Sequence, residues 1–588
     1  MTARSPQTRT DVATFKLLAD GKEITYDYDV ISLVVSRVVN RVPTARVVLR
    51  DGSAAEETFA ASEGSDLAPG VELEIAMGYD ANDRSVFKGL IIKQSLRVAA
   101  NGDSTLTLEC KERATQMTVG RHSRYFTDST DSDAIAAILA EYSGLSAEVE
   151  ATQGTHPEIV QYYATDWDFM LTRAETNGQI VLVDGDTVRV KPPALSGSPA
   201  MALTYGVDLL EFEAEMDART QYQAVTAEAW SYADQALASA DAAEPSVNRQ
   251  GNLSGSDLAQ VISLETLELR HSGQILSPEL QAWADAQLLK SRLAKIQAQL
   301  KIKGEPEAAP DTLIELKGVG QRFNGQAYVS GIRHEMVAGT WHTRLQLGLS
   351  PQWFYQEAAL ADKPAAGLLP GVNGLQVGVV VQLQDDPQGE HRILVKTPTI
   401  DNEAEGTWAR IATLDAGDSR GSFFRPEIGD EVILGFINDD PRDAVVLGML
   451  HSSAKPAPLE AADDNPIKGF FTRSELKITF DDDQKVMVLE TPAGNQVTLS
   501  DADEKIELVD QHGNQATLDS SGITLNSPSD IVLEAGGSLT LSASQDVSVS
   551  GLNVSLGADA QFKAEGSAGA EVSTGAIAIL KGSLVQIN

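Results

Sequence analysis

A single cysteine in 588 residues, Cys110, excludes an intramolecular disulfide framework and any Cys-based zinc site. It ends the alternating run Thr-Leu-Thr-Leu-Glu-Cys and is expected to be a buried thiol. No run approaches about 18 consecutive apolar residues, which leaves no transmembrane helix. Met1-Thr-Ala-Arg-Ser-Pro6 leads into charged and polar residues, giving the expectation of no classical signal peptide. Basic charge is scarce: 46 Lys and Arg against 84 Asp and Glu, a formal net charge of −38. Such a surface repels phosphate backbones and argues against general nucleic-acid binding. Aromatics are scarce too. After Phe480 only Phe562 remains, so any interior of the C-terminal segment must be narrow. What is plentiful is length, enough for three or four domains, and apolar content, 42%.

Residues 12–110 read as strands separated by Asp20-Gly21, Asp51-Gly52 and Pro69-Gly70, pairs that supply the positive φ of tight turns. Two helices follow. Ile135, Ile138, Leu139 and Tyr142 form one stripe behind cap candidates Asp131 and Ser132. Trp167, Met170, Leu171 and Ala174 form another, behind a capping-box spacing at Thr165 and Asp168. A third helix is expected from the cap Ser277-Pro278 to about Leu300. Phe87-Lys-Gly89 and Phe323-Asn-Gly325 each lead into a hairpin, with turns at Asn101-Gly102 and Ala338-Gly339. We read them as an internal echo of two related β-domains. Beyond a linker at 355–373, five strands are expected at 375–384, 392–396, 408–411, 431–436 and 444–449, the size of an OB barrel.

In the last hundred residues apolar pairs two apart recur, and between Leu525 and Ile587 they step by seven or eight residues. Each unit is a short strand with one face inward, then a corner. A lone chain of such strands leaves apolar faces and backbone edges unpartnered. Three intertwined copies forming a triangular prism would satisfy both, and a single-chain solenoid fits the period nearly as well.

Catalytic patterns fail on context. Gly417-Asp-Ser-Arg-Gly421 matches G-x-S-x-G, but Pro426 stands where the obligatory helix would run. Ser452-Ser-Ala-Lys455 lies at a Pro-rich boundary without supporting motifs. His334 and His342 flank a hairpin turn and are read as structural, not as a metal pair. Asp481-Asp-Asp483 lacks the Gly and Glu of a calcium loop and reads as a solvated turn. Trp408, Phe423, Phe424 and Phe436 could stack on bases, yet the barrel region is acidic, which suits an adapter better. The expected catalytic, cofactor and metal residues are therefore none.

Several segments together carry a family resemblance: 161–178 (Gln-Tyr-Tyr-Ala-Thr-Asp-Trp-Asp-Phe-Met-Leu-Thr-Arg-Ala-Glu-Thr-Asn-Gly), 328–335 (Tyr-Val-Ser-Gly-Ile-Arg-His-Glu), 425–441 (Arg-Pro-Glu-Ile-Gly-Asp-Glu-Val-Ile-Leu-Gly-Phe-Ile-Asn-Asp-Asp-Pro), 446–450 and the closing Leu-Val-Gln-Ile-Asn. Over essentially its whole length the chain resembles VgrG-type spike proteins of contractile injection systems, in which a phage tail hub is fused to its needle. The resemblance implies a mainly β homotrimer. Its domains would be a first hub β-barrel domain (1–120), an α/β hub segment (121–200), a second hub β-barrel domain with a helix (201–365), an OB-fold domain (374–452) and an intertwined trimeric β-helix (467–588). It implies a PAAR-like tip protein held at Val585, Ile587 and Asn588, tail-tube and baseplate partners, effector cargo, and a target membrane contacted mechanically. It also implies assembly in the cytoplasm and exposure or release on firing. Only 452–466 stands where some relatives insert a lysozyme, and the sequence stops at Asn588 where others add effector domains, so no enzymatic activity is expected. The alternatives are a carbohydrate-active β-solenoid enzyme and a surface adhesin.

Overall fold

The computed structural model describes residues 12–100, 103–357, 360 and 363–587. Met1–Pro6, the Asn101-Gly102 turn and Asn588 lie outside the described residues. The chain divides into two units, Met1–Gly448 and Met449–Asn588.

The first unit is built on a 13-stranded sheet. Its N-terminal part contains Ala13–Ala19, Val30–Val38, Thr44–Arg50, Glu72–Tyr79, Asn82–Val98 and Ser104–Lys111. Asp20 and Gly21 both take positive φ (47° and 80°) and close the first hairpin, as an Asp-Gly pair should. Alternate residues face the core: Val47, Leu49, Leu106, Leu108 and Cys110 are at most 1% exposed. Burial pushes the Cys110 thiol up to about 12. The native protein should accordingly be inert to a thiol reagent at pH 8 and titrate one thiol once denatured, which an absorbance assay checks.

Its C-terminal part contains Glu211–Met216, Ile296–Lys303, Thr312–Lys317, Gly325–Val337 and Thr340–Leu347. Val30–Val38 pairs with Gly325–Val337, placing Arg37 opposite Ile332, so the two β-domains run on as one continuous sheet. Trp341 reaches the N-terminal core, its ring 5.3 Å from that of Tyr79. Both echo hairpins form, and their glycines do the same job. A Cβ on Gly89 would lie 2.5 Å from the Lys111 carbonyl oxygen, and one on Gly325 would lie 2.5 Å from that of Arg249. Gly325 also holds φ +113°. Gly325→Ala should therefore cost about 2 kcal/mol or more, read as a lowered denaturation midpoint.

The first expected helix is Asp131–Ala140, but its cap is Thr130, not Asp131 or Ser132. The Thr130 hydroxyl accepts from the Asp133 amide and the Asp133 carboxylate accepts from the Thr130 amide, both at 3.1 Å. Asp131 instead sits buried in the first turn. The Arg173 guanidinium donates to it at 2.6 and 2.9 Å and to Glu279 at 2.7 Å, tying three helices together. The second helix, Asp166–Thr176, is capped by Thr165 as expected. The third is Ser277–Leu293, with Leu276 in the cap position, and stops short of Leu300. After Ala294 the buried positions Ile296, Ala298, Leu300 and Ile302 alternate by two, and strand pairing to Thr340–Leu347 wins. A further helix, Gly255–Ile262, is announced by a capping box at Ser254 and Asp257 that was not singled out in the sequence.

Gln376–Gln382, Ile393–Lys396, Thr407–Ile411, Glu431–Phe436 and Ala444–Met449 close into a barrel. All five lie within two residues of their expected bounds. The neighbour order is first, second, third, fifth, fourth, with third and fifth parallel, the connectivity of an OB-fold. Val380, Val395, Ala409, Val432 and Val446 fill its interior.

Candidate functional site

The second unit opens with seven five-residue strands, from Ile467–Phe471 to Gly522–Asn526, in one antiparallel meander. The pairs are flush: Lys477 faces Glu490, Val486 faces Ser500, Gln515 faces Asn526. At about 4.8 Å per strand the strip is roughly 29 Å tall. Because side chains alternate, one face carries two apolar columns. Phe470, Ile478, Leu489, Val497, Leu508, Ala516 and Leu525 form one, and Phe480, Met487, Leu499, Ile506, Leu518 and Ile523 the other. The opposite face is more polar, with Thr479, Val488, Thr498, Glu507 and Thr517 in line. Leu508 remains 46% exposed and Ile523 75%. Interior strands of this segment satisfy their backbone groups within the chain, so here it is the apolar face, from Ile478 to Leu525, that is left partly open to solvent. This differs from strands intertwined at every layer. The signal was present: apolar pairs step by nine or ten residues from Leu489 to Leu518, room for a hairpin turn, and by seven or eight afterwards.

Residues 527–587 behave differently. Among the described residues of this stretch there is no strand and no backbone-to-backbone hydrogen bond. The apolar pairs are all turned to solvent; Leu541 is 70% exposed and Leu556 73%. Of the expected tip residues, Val585 is 46% and Ile587 88% exposed, and Asn588 lies outside the described residues.

The chemical candidates do not assemble. His334 donates or accepts at Thr343 Oγ1 (2.9 Å) inside the core, where burial holds its imidazole down to about 3. His342 pairs with Glu335, one residue along, so the two rings point to opposite faces. No cluster of three or more metal-ligating side chains occurs among the described residues. Ser419 sits at the tip of a two-residue-strand hairpin, its hydroxyl on Asp418. Ser452 and Lys455 close a turn, each amide donating to the other's carbonyl. Asp481 accepts from the amides of Asp483 and Gln484, a solvated turn. Of the barrel aromatics, Phe436 packs on the core while Phe423 and Phe424 face outward. One buried acid was not foreseen. Glu112 is 1% exposed with no partner for Oε2, and burial pushes its carboxyl up to about 8 against the charge of Arg37. Below about 4.5 both folded and unfolded states hold this proton; between there and about 8 only the folded state does, so this term of the stability falls as pH rises. Glu112→Gln should raise the denaturation midpoint at pH 8 and leave it nearly unchanged at pH 4.

Residues 9–338 match the family described as Alg8 N-terminal domain, and residues 376–451 match the type VI secretion system/phage-baseplate injector OB domain. The spike protein VgrG3 of Vibrio cholerae is 32% identical over 105 residues, covering 16% of this chain and 10% of that protein. VgrG1b of Pseudomonas aeruginosa is 30% identical over 113 residues, covering 18% and 15%. These alignments thus span between a tenth and a fifth of the curated relatives' own length. Among solved structures, a prophage MuSo2 43 kDa tail protein from Shewanella oneidensis has a TM-score of 0.44 at 12% identity, covering 58% of this chain and 98% of that one. The Francisella PdpA-VgrG complex gives 0.39 at 8% identity, covering 89% of each chain. No helix of the described residues is long and apolar enough to cross a membrane. With more than half of its length matched by the first model, the chain belongs to the Alg8 N-terminal domain family, and it is similar in its barrel to the injector OB domain and over about a sixth of its length to VgrG spike proteins.

Proposed function

We propose that three copies of this chain form the hub and needle of a contractile, phage-tail-like injection apparatus, joining tail tube to tip and transmitting contraction as local pressure on a target envelope. The observation that carries this reading is the state of residues 527–587. A single-chain solenoid would pair its successive coils and hide its apolar pairs, and this stretch does neither. Co-winding of three chains supplies every missing strand edge and encloses the aliphatic pairs in a narrow interior. The three meanders would close likewise, face to face, as the walls of a prism. In this proposal the hub comprises 1–120, 121–200 and 201–365, the barrel 374–452 is the adapter, and 467–588 is the needle. Val585, Ile587 and Asn588 then hold a conical, PAAR-like tip, and tube, baseplate and effector proteins are the other partners. The protein acts mechanically and not as an enzyme, is assembled inside the cell, and is exposed on firing. Particles built with a chain ending at Pro466 test this: sheath contraction should persist while cargo delivery is lost, and undiminished delivery would contradict it.

A further inference from the structure

Acids outnumber bases in this chain by 84 to 46, yet one groove gathers cations that no carboxylate neutralises. Two adjoining concavities, of about 430 and 460 Å³, meet at residues 249–252, where Arg249, Gly251 and Asn252 line both. Lys295 lines the first and Lys317 the second. Among the described residues neither of these lysines, nor Arg249, makes an ion pair. Arg322, at the rim, donates to Asn252 Oδ1 at 2.9 Å and has no acidic partner either. Two of the lining acids are already engaged. Glu244 accepts both arms of Arg292 (2.7 and 2.8 Å), and Asp257 accepts from the Ser254 amide at 2.7 Å, which leaves Glu315. The lining thus holds four basic and three acidic residues, with Arg322 beside them, on a chain of net charge −38.

The groove is held in shape by the chain itself. Gln250 bridges to Gly325, the Gly251 amide donates to the Asn324 carbonyl at 2.7 Å, and the Val319 amide donates to Asn324 Oδ1 at 2.9 Å. A Cβ on Gly251 would lie 2.3 Å from the Arg322 carbonyl oxygen, so the two loops touch through bare backbone. The Lys295 ammonium fixes the other wall, donating to the carbonyls of Gln250 (2.7 Å) and Leu253 (3.0 Å) and keeping a third hydrogen to give. A preformed site of this kind loses little freedom when it is filled. The arrangement of the cations selects the occupant. Lys295 and Lys317 belong to different concavities with Arg249 at the junction, so the positive charge runs in a row and does not converge on one point. A compact anion such as phosphate meets one end of such a row. An extended peptide sets alternate side chains about 7 Å apart on one face and can offer a carboxylate to each cation in turn. We infer that the groove at residues 249–252 docks an extended acidic segment of a partner protein, its carboxylates on Lys295, Arg249 and Lys317 and at the rim on Arg322. This site lies within one chain and does not depend on how many chains assemble.

The test is fluorescence anisotropy of labelled hexaglutamate titrated with the full chain at low salt. Saturable binding is expected, weakened at least fivefold by the double substitution Arg249→Gln, Lys317→Gln and weakened again by added salt. All of these side chains but Lys295 are exposed, so the variants should keep the parent's circular dichroism and melting midpoint. Arg219→Gln, which removes an exposed arginine paired with Asp217, is the control and should leave the affinity unchanged. Absence of saturation at millimolar protein overturns the inference. So does an affinity indifferent to the double substitution, or one lowered equally by Arg219→Gln, which would mean attraction to surface charge in general. Inorganic pyrophosphate displacing the peptide at a lower concentration than unlabelled hexaglutamate also overturns it, because the groove would then be a phosphate site.

Discussion

Leu508→Asp should dissociate the proposed three-chain assembly while leaving each chain folded. Within one chain this leucine lies on a half-exposed face of a sheet whose hydrogen bonds are all internal, so a carboxylate there costs at most about 1 kcal/mol. Its neighbour Glu507 already carries one on the opposite face. In the proposed three-chain prism three such carboxylates would enter one narrow apolar interior. Each burial costs several kcal/mol, and like charges at close range add to it. Sedimentation velocity should show the three-chain boundary replaced by a single-chain one. Thr524→Asp, on the polar face of the last strand, is the control and should leave the boundary unmoved.

The second large effect is expected in the hub. Arg173→Met removes the one cation between Asp131, 1% exposed, and Glu279, and His156 lies within 3.7 Å of both. Two carboxylates then share a buried site with only an imidazole to offset them. Breaking a buried pair in this way costs about 3–5 kcal/mol, more than the exposed pairs elsewhere on this surface contribute. Chemical denaturation followed by tryptophan fluorescence should show the loss, with Trp167 on the same helix as the reporter. An unchanged midpoint would mean that the network is not what holds Asp131–Ala140, Asp166–Thr176 and Ser277–Leu293 together.

The barrel was legible because its β-branched runs are separated by turn residues and five of them fall within one short stretch, although its first strand pairs with the fourth and its third with the fifth across longer separations. The joint between Val30–Val38 and Gly325–Val337 was not legible, since a pairing across some three hundred residues leaves no period in either strand. Around Leu293 the run Leu293, Ala294, Ile296, Leu300 satisfies helical spacing about as well as alternation, and only the neighbouring strand decides. Thr130 was passed over as a cap because Asp131 and Ser132 are equally good cap residues by type; the reciprocal bond with Asp133 selects it. At the C-terminus the rung spacing was plain and the closure was not. A strand with one face inward and a corner every eight residues reads alike in a solenoid and in a prism.

Native mass spectrometry of the unmodified chain at micromolar concentration tests the central claim most directly. Three co-wound chains of 62.7 kDa predict a species of about 188 kDa. A 62.7 kDa species whose residues 527–587 are protected from hydrogen exchange would contradict it, because those rungs would then have closed within one chain.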